Sequence, residues 1–181
     1  LLTGDAHRPL TVSPGRGVAA FTVLGVEHLL GGADHLLLVL GLVFLVQGWP
    51  LVRAITAFTL GHSLTLGLAT LGWVRVPGVW AEVLIAASLV GLAAELVAEH
   101  RHPQSSRIAK SPAALCAAIG LIHGLGFASA LSAAGLPDDE IVPALFGFNI
   151  GLEAGQLLAV LPLALLLRWT DGRRLRPLPA T

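Results

Sequence analysis

Between Gly17 and Gln47 the chain is almost continuously apolar, interrupted by one glycine pair and a few ionisable residues. As a single α-helix this run of about 30 residues would be roughly 45 Å long, against a hydrocarbon core of about 30 Å. It therefore has to break, tilt or fold back. Gly31-Gly32 is the natural break. The expectation is a short re-entrant or surface-lying helix over about 17–30, then a span to about 47. A strongly tilted, kinked single helix is the alternative.

Four more apolar runs follow, over about 51–72, 79–98, 112–134 and 141–168, separated by short polar turns. The chain is 55% hydrophobic and 12% charged, whereas a soluble domain carries about 25% charged residues. This pattern predicts an all-α integral membrane protein: a bundle of about five transmembrane helices plus a short broken or re-entrant N-terminal half-helix. Residues 1–16 read as an extracytoplasmic lead-in, 17–168 as the transmembrane domain and 169–181 as a basic cytoplasmic tail. Gly48-Trp49-Pro50 is expected to close the first run, and Pro143 and Pro162 to fall in the first turn and at a kink of the last span.

Orientation follows from the cations. With the N-terminus outside, the inner segments hold Arg53, Arg101, Arg107, Lys110, Arg168, Arg173, Arg174 and Arg176, and the outer ones only Arg8, Arg16 and Arg75. The positive-inside rule then predicts N-out and C-in. Net charge is zero, which gives no basic field for nucleic acid. Cys116 is the only cysteine, so no intrachain disulfide can form. Met is absent even at position 1, and the chain reads as a processed or excised piece, with room for an upstream extracytoplasmic domain.

Ionisable groups inside such runs are costly and tend to face a cavity with a job to do. His28, Asp34 and His35 flank the glycine break, and a bend there would swing all three toward one point. Imidazole with carboxylate suits a borderline divalent ion such as nickel, cobalt, zinc, iron or copper. The plain structural reading is a hydrogen-bonded helix junction with Asp34 as a cap. His62 lies in the second full run beside Thr59 and Ser63, and His123 lies in the fourth beside a glycine ridge. Taken alone, His62 is most simply a histidine bonded to a neighbouring helix, and His123 would point into a packing seam rather than to lipid. Asn149, Glu153 and Gln156 share one face of the last span. His35, His62, His123 and Glu153 each fall near the middle of their own run, which suggests one buried metal site. Glu27, Thr59, Ser63, Asn149 and Gln156 would surround it and extend a polar path.

The segment His28-Leu-Leu-Gly31-Gly32-Ala-Asp34-His35 resembles the His-x5-Asp-His signature of the HupE/UreJ membrane proteins. The segments around Ala57–Thr65, His123–Ala128 and Gly147–Gln156 are most similar to a branch often found behind an extracytoplasmic N-terminal domain. Leu29 stands where the narrower permease pattern has Pro. The resemblance implies a bacterial inner-membrane protein and a nickel or cobalt permease, with His28, Asp34 and His35 needed for uptake. It also leaves room for a metallochaperone partner and a homo-oligomer.

Two other functions compete. An intramembrane metalloenzyme would use the same cluster to hold a catalytic metal. A membrane module that anchors or senses would use the polar groups only for helix packing and would have no metal affinity. No Walker A motif is present, so transport would draw on a gradient or a partner.

Overall fold

The computed structural model describes residues 17–103, 106, 110–133 and 138–170. Every regular element among them is a helix: α1 (Val18–Gly31), α2 (Ala33–Leu45), α3 (Trp49–Thr70), α4 (Gly78–Arg101), α5 (Pro112–Ala133) and α6 (Asp138–Thr170). The expected lead-in over 1–16, the tail beyond Thr170 and parts of the two connections before α5 and α6 lie outside the described residues.

The helices α3, α4 and the Glu140–Leu167 stretch of α6 are each long and apolar enough to cross a membrane. The pair α1 and α2 qualifies only together, bent by 74°. The helix α5 is apolar over Pro112–Phe127. The chain is a helical membrane protein. Its tryptophans agree: Trp49 and Trp169 lie at one end of the bundle, Trp73 and Trp80 at the other, all exposed. That is the arrangement of aromatic belts at two membrane–water interfaces.

The break falls at the glycine pair. Gly32 alone is extended, at φ −86° and ψ 104°, and its N–H donates back to the His28 carbonyl. It is also the residue that precedes α2, and no side chain caps that helix, so Asp34 is not spent as a cap. The next turn differs from expectation. The helix α2 ends at Leu45, and Trp49-Pro50 begin α3 instead of closing the first run. Proline in the first turn loses no hydrogen bond there, and Gly48 supplies the positive φ of 68° that the reversal needs. The last helix starts at Asp138, so Pro143 lies inside it, as does Pro162.

Two seams hold the bundle. The helix α1 runs parallel to α6, with Gly25 against Phe148 and Leu152, and Gly151 against Thr22. The helix α3 runs parallel to α5, with Gly61 against Ala117 and Leu121, and Gly120 against Phe58. At Gly25, Gly151, Gly61 and Gly120 a Cβ would run into the facing backbone carbonyl. These helices therefore touch backbone to backbone, as small residues permit in membranes. The helix α6 crosses α3 antiparallel, pairing Thr56 with Glu153 and Leu66 with Phe148. A core including Leu38, Leu42, Ile55, Phe58, Leu92 and Leu152 fills the space between, and Cys116 is buried within it. The helix α4 is the outlier: it buries only Ala81 and Leu92 and leaves Val79, Val83, Val90 and Val97 exposed.

Candidate metal centre

His28 occupies the last turn of α1, and Asp34 and His35 the first turn of α2. The bend folds these turns together and leaves the His28 and His35 rings 4.9 Å apart, centre to centre. From α3, His62 approaches to 6.4 Å of His28 and 6.1 Å of His35. From α5, His123 comes within 5.3 Å of His35. Asp34 lies between the last two rings, its Oδ1 3.2 Å from His35 Nδ1 and its Oδ2 3.9 Å from His123 Nδ1. The positive end of the α2 dipole favours a carboxylate in that first turn.

These side chains form two sets whose ligand atoms lie within 4.8 Å of one another: His28, His35 and His62, and Asp34, His35 and His123. Ligands about 2.1 Å from a shared ion stand up to about 4.2 Å apart, so small side-chain rotations suffice to seat one.

The ring nitrogens are the informative feature. His28 Nε2, both nitrogens of His35, both of His62 and His123 Nδ1 are buried without a hydrogen-bond partner. The His35–Asp34 approach is close but is not aligned as a hydrogen bond. Buried polar atoms are normally satisfied, and each exception needs an explanation. Six such atoms around one bend fit a missing ligand. Each neutral ring has one lone pair and one N–H, so an electron-pair acceptor such as a divalent cation satisfies one nitrogen per ring, and the second nitrogen of His35 and of His62 is an N–H that needs an acceptor.

The walls are aromatic. Phe127 stacks on Phe148 at 4.7 Å and lies 4.2 Å from the His28 ring. Phe58 packs edge-on against His35 and His123 and is stacked beside His62. Such walls keep the local dielectric low and strengthen electrostatics within. The open side is at Asp34, whose side chain is 32% exposed while those of His35 and His123 are nearly or wholly buried.

Sequence reasoning missed Ser88. Its Oγ donates to the Ile85 carbonyl at 2.7 Å and lies 3.1 Å from His123 Nε2. With its one proton committed to Ile85, Ser88 accepts a hydrogen bond from Nε2–H. That fixes the His123 tautomer and leaves the Nδ1 lone pair facing Asp34. A lone serine in an apolar run gives no signal for this role. The three phenylalanines were equally illegible as walls.

The remaining expected residues fall elsewhere. Glu153 joins neither set. Its Oε1 accepts from Thr56 Oγ1 at 2.6 Å. Its turn of α6 runs beside the turn of α1 that carries His28, with Gly155 against Leu29, yet its carboxylate is bonded to α3. Gln156 Oε1 accepts from Thr59 Oγ1 at 3.0 Å, and Ser63 donates to the Thr59 carbonyl. Asn149 stands beside His62; its Nδ2 donates to the Leu145 carbonyl and its Oδ1 is buried without a partner. Glu27 lies on the exposed side of α1.

A family model described as HupE / UreJ protein matches residues 5–177. No curated protein and no solved structure matches the chain.

Proposed function

The chain belongs to the HupE/UreJ family, and from that premise we propose that it is a permease for a divalent transition-metal ion, nickel or cobalt ahead of zinc, copper or iron. One observation carries this reading: six buried, partnerless ring nitrogens converge from α1, α2, α3 and α5 at the break of a bent span. Transporters build midplane ion sites at such broken helices. The imidazole-rich set suits borderline ions. Asp34 supplies the negative charge that offsets a dication in a low-dielectric pocket, and its partial exposure makes it the first group an arriving ion meets. Asn149 would orient His62, as Ser88 orients His123. Glu153 and Gln156 would line the way out between α3 and α6.

The proposed topology has five crossings in the inner membrane of a bacterium, with the α1–α2 pair as one broken span and the N-terminus outside. The excess of Arg and Lys in the inner segments and the parallel course of α1 and α6 support it. Metal delivery by an upstream extracytoplasmic domain or a metallochaperone fits the same arrangement.

The test is cellular accumulation of nickel and cobalt by the His35→Ala variant. Accumulation should fall to background with the protein still in the membrane; uptake unchanged from the parent rules out the permease. The second reading is an intramembrane metalloenzyme, favoured by the two-His, one-carboxylate set of Asp34, His35 and His123, a set that elsewhere holds reactive iron. Stoichiometric metal that survives purification and resists chelators would favour it over transport.

A further inference from the structure

The two ligand sets share one residue, His35, and an inference resting on the permease reading follows from that overlap. We propose that the centre is a pair of adjacent stations for a single ion, a mixed station of Asp34, His35 and His123 and an all-imidazole station of His28, His35 and His62, with His35 passing the ion between them.

The exclusivity comes from imidazole chemistry. A neutral ring carries one N–H and one lone pair, so it ligates one ion through one nitrogen. His35 Nδ1 faces Asp34 Oδ1 at 3.2 Å, and Nε2 is buried and equally partnerless. With the ion in the mixed station, Nδ1 ligates and Nε2 holds the proton. With the ion in the imidazole station, Nε2 ligates and Nδ1–H donates to the Asp34 carboxylate, the carboxylate–histidine–metal arrangement of many sites. The exchange takes one proton from Nε2 and delivers one to Nδ1, with water admitted on the partly exposed Asp34 side as the carrier, and leaves the charge of the ring unchanged. Asp34 is thus a ligand in one state and a hydrogen-bond acceptor in the other. His123 takes no part in the second state, because Ser88 holds its Nε2–H and aims Nδ1 toward Asp34.

The stations differ in charge and access. The mixed station has a carboxylate and the partly exposed side; it is the place of capture. The imidazole station holds neutral ligands only and includes His62, which is fully buried; an ion there is less compensated and moves on. Space for the exchange is provided at Gly32, where a Cβ would come within 2.8 Å of His35 Nδ1 and 2.9 Å of Asp34 Oδ1.

The experiment is titration of the purified full chain in lipid nanodiscs with Co2+, read by bound metal per chain and by X-ray absorption for ligand type. The parent should bind one Co2+. His123→Ala should still bind one ion in a nitrogen-only protein ligand set, and His62→Ala one ion in a set that includes the carboxylate. The double variant and His35→Ala should bind none. Should an alanine variant aggregate, His62→Gln and His123→Gln replace it. Two Co2+ per parent chain, or loss of binding in either single variant, overturns the proposal. Cellular nickel accumulation separates the two readings. A parent that shows this partition without accumulating metal loses the permease assignment and keeps the stations. A parent that accumulates metal while either single variant binds none loses the stations alone.

Discussion

Two polar regions share the interior of this bundle, and they are built on opposite terms. Between α3 and α6 the Thr56–Glu153 and Thr59–Gln156 pairs are hydrogen-bonded to each other at 2.6 and 3.0 Å. At the α1–α2 bend, the four histidines leave six buried ring nitrogens without a hydrogen-bond partner. The first region is tied by its own hydrogen bonds, leaving Gln156 Nε2 as its one buried atom without a partner among those described, and can serve packing. The second is complete only with something added. Polarity inside a membrane is therefore a weak sign of function, and unsatisfied polarity a strong one.

The comparison breaks first at His35. Its replacement by Ala should abolish Co2+ binding by the purified protein, a loss beyond about 100-fold for a residue shared by both ligand sets. Retained affinity in a titration would mean that the orphaned nitrogens are not ligands. Gly32→Ala comes next. Its φ of −86° suits alanine, so the helix break should persist by circular dichroism. Binding should still fall by about 10–100-fold, because the new methyl fills the space between His35 and Asp34. Ser88→Ala should weaken binding by about tenfold by freeing the His123 tautomer. Ser88→Thr, which keeps the hydroxyl, should restore most of the affinity. Smallest are Thr59→Val and Gln156→Leu in the region between α3 and α6. Each should cost about 0.6 kcal/mol of stability and leave Co2+ affinity unchanged. A tenfold loss of affinity in either would erase the distinction between the two regions.

Much of the architecture was legible from residue type alone. The apolar runs gave the helices to within a few residues, because a membrane tolerates no other hydrogen-bonded solution. The Gly31-Gly32 pair marked the break because the run was too long without one. What failed was inference from position within a run. His35, His62 and His123 do converge, while Glu153 stays with Thr56. Which groups meet depends on the faces that helices turn toward one another, and those are set at the glycine seams, through contacts between segments far apart in sequence. Trp49-Pro50 was misread for a smaller reason: proline ends one helix and begins another with equal ease, and only the φ of Gly48 decides. Ser88 could not be found, since its role rests on where its one proton goes.

The glycine seams have a mechanical consequence. Where two helices meet backbone to backbone, no layer of side chains is left to slip, so α1 with α6 and α3 with α5 each travel as a single plank. His28 rides on the first plank and His62 and His123 on the second, with Asp34 and His35 carried on the short helix that leaves Gly32. Any rocking of one plank against the other is felt first as a change in the distances between the residues that would grip the ion.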